Sequence, residues 1–519
     1  VAHNGYIFRY ISAIALLISL IHSQAVKGQE SILDSIFTFR AGMVKTGNAL
    51  NIITSETGYN FTYDSRLIDT EKRIPLTFRN MKLSSILDSV FRNDSLVYSV
   101  IDKYIIISRL IQKPSLQVDS LSQTWTGPGY ITGLIIDEES GETLPSATIG
   151  LINNGKGTVT NSKGEFGLTI TPDCINDTLF VSYLGYYGRK IPVYRFLGNN
   201  FTITLKREFI SIPEIIIRNQ IPQEIIFKTI AAIPDNYGNT PAHMTGFYRE
   251  GVMKKNKLQS YSEAILQIFK SSYTGSLLGD QIKVYKSRKI ENISNRDTLA
   301  VRLKAGLSTC LRLDGVKNRF DFITWPNMQD YTYRMTDIVT FNDEAVYLIE
   351  FVQKEYIDLP LFKGTIYINT YDFAILRAEF EINPAYIYKI KDSFVSSTSG
   401  GFNTWPLSVK YSVNYRKLNN RYFLNHVRGD LVFSSRQRRK LFNTQFNVFF
   451  ELAVTEINLK NVTRFEREEL APVHAVFSRT IKQYDREFWE GQDFLKPEDN
   501  LLQALQNMKV RLQEFSENN

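Results

Sequence analysis

The chain has 519 residues, 43% apolar and 22% charged, with a net charge of +8. That length exceeds what one hydrophobic core accommodates, so about two to four domains are expected. Lys and Arg are dispersed and no recognition motif accompanies them, which sets nucleic acid aside as a partner; the positive balance suits an anionic membrane face or an acidic partner. The 34 Phe and 28 Tyr lean toward β structure, where aromatic rings pack well on a pleated surface.

Residues 1–25 carry a basic start at Arg9, an apolar run from Ile11 to Ile21 and small residues near Ala25, the pattern of a secretory signal peptide. No Cys follows that run, so no lipoprotein anchor is indicated. No other stretch approaches the roughly 18 apolar residues a spanning helix needs. An exported protein without a membrane helix is expected, in the periplasm or at the outer membrane.

Residues 31–110 read as two strand–helix–strand units in tandem. Ile36 to Phe39 alternates, a helix follows around Gly47 to Thr57, Gly58 ends it in the left-handed conformation, and Tyr59 to Tyr63 alternates again. Ile74 to Phe78 then precedes a helix from Lys82 to Arg92, whose Leu83, Ile86, Leu87, Val90 and Phe91 share one face. Val97 to Ile101 and Tyr104 to Ser108 pair as a hairpin across Asp102-Lys103. The Thr57-Gly58-Tyr59-Asn60-Phe61 turn, the Leu83-Ser84-Ser85-Ile86-Leu87 helix and the closing Tyr104-Ile105-Ile106-Ile107 resemble the STN domain, the N-terminal module of secretins and TonB receptors. The resemblance implies a periplasmic docking domain that contacts other envelope proteins. Residues 111–129, with two prolines and no apolar period, form a linker.

Between Tyr130 and Arg207, short β-branched runs alternate with Gly, Asn, Asp and Ser clusters, as in a small all-β sandwich. Gly141, Gly155, Gly157, Gly164 and Gly185 fall where tight turns need positive φ. Gly133, Asp137, Gly141, Pro145 and Ala147, then Gly157 to Thr160, Gly164 with Phe166, and Ser182 to Tyr186 carry a resemblance to the carboxypeptidase regulatory-like domain. It implies a seven-stranded prealbumin-type sandwich of the kind found on TonB-dependent receptors, an accessory module rather than a catalytic one. Asn161 stands where that family usually has Asp. The extended run Phe209 to Ile217 resembles the connector into a receptor plug, but neither plug motif nor receptor barrel follows.

The back half opens with a helix from Pro222 to Ile233, ended by Pro234 to Tyr237. Long β runs are placed at Met244 to Lys254, Tyr261 to Tyr273, Ala345 to Lys354, Gly364 to Asn369, Ala374 to Asn383, Leu407 to Leu418, Tyr422 to Ser434 and Thr444 to Leu459. Val409, Tyr411, Val413 and Tyr415 share one face and Lys410, Ser412, Asn414 and Arg416 the other, so one face is buried and one wet. Lys363 to Phe380 resembles a hairpin of LolA/LolB-like half-barrels, which enclose an apolar cavity. Arg436-Gln437-Arg438-Arg439-Lys440 reads as a solvated hairpin connection. Tyr484 to Trp489 and a closing helix near Leu501 to Phe515 resemble the C-terminal signature of envelope proteins with the same front domains.

Chemistry is thinly signalled. His243, His426 and His474 are not spaced as metal ligands, and HExxH, paired CxxC, a phosphate loop and a nucleophile elbow are all missing from the sequence. Ser397 to Gly401 reads as a mobile loop. Asp137-Glu138-Glu139 with Glu142 offers carboxylates for Ca²⁺ without calcium-loop spacing, and reads first as a solvated turn. Glu250 and Glu263 either mark a polar spot inside the sheet or lie on a solvent-facing side. Cys174 and Cys310 are expected as unpaired buried thiols, an interdomain bridge being the alternative.

The expected architecture is a multidomain, β-rich chain: a small α+β domain, a seven-stranded sandwich, and a mainly antiparallel C-terminal domain (236–519), curved sheet or half-barrel, with flanking helices. No catalytic, cofactor-binding or metal residue is nominated, and no cofactor. The expected function is non-enzymatic docking to envelope proteins or ligand binding at the periplasmic or outer-membrane face. A carrier of lipid or lipoprotein acyl chains and an outer-membrane barrel are the alternatives.

Overall fold

The computed structural model describes residues 32–63, 68–91, 96–101, 103–109, 129–196, 201–208, 221–254, 257–275, 279–291, 302–303, 306–341, 344–390, 395–396, 402–437, 442–472 and 476–481. The expected signal peptide, receptor-like connector, Ser397–Gly401 loop, His474, Tyr484–Trp489 motif and closing helix lie outside them, as does the linker except for Gly129, which is the first residue of the sandwich. The chain divides into two compact units, 1–117 and 118–519.

The first unit holds β1 (Ile36–Lys45), α1 (Thr46–Thr57), β2 (Asn60–Tyr63), β3 (Arg73–Lys82), α2 (Leu83–Phe91), β4 (Leu96–Ile101) and β5 (Tyr104–Arg109). Gly58 closes α1 at φ 72°, donating its N–H to the Thr54 carbonyl, as a left-handed cap does. The two strand–helix–strand pieces interleave rather than standing in tandem: β1 pairs antiparallel with β3, and β2 parallel with β5. Leu83, Ile86, Leu87 and Val90 of α2 are all buried, joining Ala49 and Ile53 of α1 in one core.

The second unit begins with a sandwich of β6 (Gly129–Asp137), β7 (Thr148–Leu151), β8 (Gly157–Val159), β9 (Glu165–Ile170), β10 (Thr178–Ser182), β11 (Arg189–Pro192) and β12 (Phe201–Leu205). They form sheets ordered β11-β10-β7-β8 and β12-β6-β9. Ile131, Ile135, Phe166, Leu179 and Val181 fill the space between them. Asn161 keeps its turn, its Oδ1 accepting the N–H groups of Lys163 and Glu165. Gly141, Gly164 and Gly185 take positive φ, but Gly155 and Gly157 do not. Those two glycines answer a different need, close approach: a Cβ on Gly155 would lie 2.0 Å from the Ile457 carbonyl oxygen, and one on Gly157 2.1 Å from Arg416 Nη1.

After α3 (Pro222–Asn236), which runs on through Pro234, come β13 (Ala242–Lys254), β14 (Lys257–Lys270) and β15 (Gln281–Glu291). A short pair, β16 (Arg302–Leu303) with β21 (Val395–Ser396), and two short helices, α4 (Gly306–Arg312) and α5 (Gly315–Asn318), accompany the remaining strands. These are β17 (Tyr331–Phe341), β18 (Glu344–Gln353), β19 (Phe362–Asn369), β20 (Ile375–Ile382), β22 (Phe402–Leu418), β23 (Arg421–Gln437) and β24 (Thr444–Asn458), followed by α6 (Phe477–Thr480). Ten strands make one curved antiparallel sheet in the order β15-β14-β13-β24-β23-β22-β20-β19-β18-β17. Among the described residues this sheet is open, with β15 and β17 at its edges, so these strands do not close the barrel held as an alternative. Both edge strands escape the sequence reading, and the other eight fall within a few residues of their expected places.

One face of the sheet is apolar. Paired neighbours carry Tyr333, Phe351, Gly364, Phe380, Tyr411, Gly429 and Phe450 across seven strands in register. Turns before β17 cover this row: Phe322 stacks on Phe351 with centroids 3.9 Å apart, and Phe320 meets Phe380 edge-on. The row ends opposite Glu250, which is buried and accepts a hydrogen bond from Tyr248 Oη at 2.7 Å. At one end of the sheet the Gly155 carbonyl accepts from Ile457 N at 3.1 Å and from Arg416 Nη2 at 2.6 Å, and Thr340 O accepts from Gly185 N at 2.6 Å. The sandwich is thereby fixed to the end of the sheet where β17 and β24 finish.

Candidate functional site

The opposite face carries the chemistry. One residue pair further along, every strand contributes a polar side chain to a single row: Arg288, Glu263, Arg249, Glu451, Arg428, Ser412, Glu379, Thr365, Glu350 and Arg334. Strand register alone produces this, since directly paired residues point the same way and stand about 5 Å apart. Side-chain exposure along the row runs from 1% at Arg249 to 74% at Arg334.

At the closed end, Arg249 spans Glu451 Oε2 at 2.6 Å through both Nε and Nη2. His426 Nε2 meets Glu451 Oε1 at 2.7 Å, and Arg428 Nη1 lies 3.7 Å from the same oxygen. Buried attraction from Arg249 and Arg428, with the His426 bond, outweighs desolvation and holds the Glu451 carboxyl well below its usual range. Glu263 behaves differently: it takes hydrogen bonds from Tyr261 Oη and Arg288, yet burial dominates and its pKa is raised. Val159 of the sandwich packs on Phe247 and Ala453, the neighbouring pair on this face, and helps shut this end from water.

At the open end the row borders a groove of about 740 Å³, within the usual range for ligand sites. Arg334, Glu350, Thr365, Glu379 and Ser412 form one side; Lys363, Glu381, Lys410 and Asp430 belong to the other. Charges here are paired within reach of water: Arg334 with Glu350 at 2.7 Å, Arg428 with Asp430 at 2.8 Å, and Lys363 and Lys410 with Glu381 at 3.2 and 3.8 Å. The groove can therefore exchange internal pairs for pairs with a polar guest at little cost.

Glu250 and Glu263 are both buried, so the polar-spot reading holds, but they lie on opposite faces: Glu263 pairs with Arg249, and Glu250 sits behind it. His243 bonds the Thr463 carbonyl at 2.6 Å and stacks on Phe465. The Asp137 cluster is a turn around one buried acid. Asp137 accepts from Tyr186 Oη at 2.6 Å, from Arg207, and from the N–H groups of Glu139 and Ser140, which hold its carboxyl far below the ordinary range, while Glu138, Glu139 and Glu142 face solvent. Among the described residues no cluster of His, Cys, Asp and Glu is arranged to hold a metal ion. Cys174 and Cys310 are free and buried.

A second buried knot escaped the sequence reading. Lys270 lies between Asp280 at 2.6 Å and Asp314 at 2.5 Å, with Lys317 on Asp280 at 2.6 Å, and ties the turns over the apolar face to β14.

Residues 131–217 match the CarboxypepD_reg-like domain family, so the chain carries that module, as expected. No curated protein sequence matches the chain. Among solved structures, the C-terminal half is similar to a DUF1329 family protein from Desulfovibrio piger, at 12% identity and TM-score 0.23, covering 49% of this chain and 100% of that one. It is also similar to a domain described as an outer membrane lipoprotein-sorting protein from Vibrio parahaemolyticus, at 12% identity and TM-score 0.19, covering 47% and 94%. A LolA superfamily protein from Nitrosomonas europaea is similar at 14% identity and TM-score 0.15, over 47% and 97%.

Proposed function

We propose that this chain is a non-enzymatic cell-envelope protein that works by association, with the groove on the polar face of the large sheet as its recognition surface. The observation that carries the reading is the cross-sheet row, saturated and shut at one end and open, with solvent-exposed charge pairs, at the other. Rigid strands position those charges, which favours selective non-covalent recognition. The regulatory-like module suits an envelope setting. The STN-type pattern of residues 31–110 adds a docking module on the same chain, with TonB-system or outer-membrane components as its partners.

The test is photo-crosslinking in the source cells, with the photoreactive residue placed at Val352 or Thr365 in the groove, or at Tyr371 away from it. Discrete adducts from the groove positions and none from position 371 are expected; equal labelling at all three refutes the reading.

A second reading, a carrier of acyl chains, is favoured by one observation: short helices and turns, rather than a second sheet, cover the aromatic row on the apolar face. Mass spectrometry of an organic extract of the purified chain decides it, bound lipid being the expected result and an empty protein the contrary one.

A further inference from the structure

The two ends of the large sheet differ in character. One is fastened to the sandwich. At the other, β13 turns into β14, β18 into β19 and β23 into β24, while β20 leads toward β22 and the chain enters β17. The connections at this free end hold Trp325, Tyr356, Leu359, Tyr388 and Phe442, whose exposure runs from 55% at Leu359 to 85% at Phe442.

Burying such side chains is worth far more than leaving them in water, so several together at one end need a reason. Cations stand among them. Lys257 and Arg436 are exposed at the turns of β14 and β23, Lys354 lies 6.0 Å from the Tyr356 ring, and Lys389 lies 5.8 Å from the Tyr388 ring. The acids of the same described connections are Asp321, Asp330, Glu355 and Asp358; Asp321 is held by Asn327 and Tyr331, and Asp358 by Lys389.

We propose that this rim is a membrane-contacting face, fitted to the surface of an anionic lipid bilayer. The inference is independent of the groove reading. Trp and Tyr are the side chains that settle at headgroup depth, with the ring among acyl carbons and the polar tip hydrated, and flanking Lys and Arg meet anionic headgroups. The five apolar side chains stand on four connections at one end, Tyr356 and Leu359 sharing one and Trp325 lying beside the Phe227 ring of α3, instead of forming one packed patch. A bilayer accepts such scattered tips together, whereas a protein partner would have to supply a separate pocket for each. Contact at this end leaves the sandwich at the far end of the sheet, away from the lipid.

The experiment is sedimentation of the full chain with vesicles of phosphatidylethanolamine and phosphatidylglycerol, against phosphatidylcholine vesicles. Co-sedimentation with the anionic vesicles is expected, falling as salt is raised, together with a blue shift of tryptophan emission that Trp325→Phe diminishes. The variant Tyr356→Ser/Leu359→Ser/Tyr388→Ser weakens binding by about tenfold or more, and Lys257→Glu/Arg436→Glu removes most of the salt dependence. Both keep the wild-type thermal midpoint, because the altered side chains lie at the surface. The proposal is overturned by any of four results: no sedimentation, equal binding to neutral vesicles, undiminished binding of the rim variants, or loss through the groove variant Lys363→Glu/Lys410→Glu instead.

Discussion

The closed and open ends of the cross-sheet row use the same residue types for opposite purposes. Arg249 with Glu451 and Arg334 with Glu350 are both cross-strand arginine–glutamate pairs at hydrogen-bonding distance. Burial separates them. In the closed end a charge deprived of its partner has no water to turn to, so the pair is indispensable to the fold without being a net source of stability. In the open end water replaces either partner, so the pair is dispensable to the fold and free to be exchanged for a guest. Position along the sheet, rather than side-chain chemistry, decides which charges are structural.

The sharpest way to break this comparison is to remove one partner at each end. Arg249→Ala takes the nearest cation from a buried carboxylate that keeps only His426 and the more distant Arg428, and is expected to cost about 3–5 kcal/mol in urea unfolding, enough to unfold a marginal domain. Next comes the covering of the closed end. Gly155→Ala drives a Cβ into the Ile457 backbone, and the sandwich must shift, lowering stability by about 1–3 kcal/mol in thermal melting.

Acid titrates the same end without mutation. The Glu451 carboxyl is depressed below its ordinary 4.5, so its contribution is complete above that pH and is lost as pH falls toward the depressed value. Glu263, raised above 4.5, carries the opposite sign, favouring the folded state as pH falls through its raised pKa toward 4.5. Unfolding followed from pH 6 downward should therefore show a decline below about pH 4.5 that is shallower in Glu451→Gln; an unchanged slope would place the acid sensitivity elsewhere. The smallest effect belongs to the open end: Arg334→Ala is expected to change stability by no more than about 0.5 kcal/mol.

Much of the architecture was legible. Alternation of Val409, Tyr411, Val413 and Tyr415 against Lys410, Ser412, Asn414 and Arg416 foretold a sheet with one buried and one wet face; the second face is wet at Lys410, but Asn414 is buried and Arg416 is bonded to the sandwich. The two edge strands were not legible, for separate reasons. In β17 the alternation of Tyr331, Tyr333 and Met335 breaks at a bulge between Met335 and Asp337, and β15 carries Lys283, Lys286, Arg288 and Lys289, as an edge strand does to discourage pairing with another chain. The candidate site lay further out of reach. Arg249 and Glu451 are 202 positions apart and meet only through the register of β13 with β24, which no local pattern encodes. Glu250 and Glu263 were visible as oddities, but sequence gave no sign that they occupy opposite faces. Gly155 and Gly157 read as turn residues, because close approach to a distant strand leaves the same mark as positive φ.

The most direct test of the account joins stability to recognition in one protein. The variant Lys363→Glu/Lys410→Glu, carrying the photoreactive residue at Thr365, should unfold at the same urea concentration as the unmodified chain and yield about a tenth of its adduct. Full adduct yield from a stable variant, or a loss of stability comparable to that of Arg249→Ala, would contradict the division of the sheet into a structural end and a recognising end.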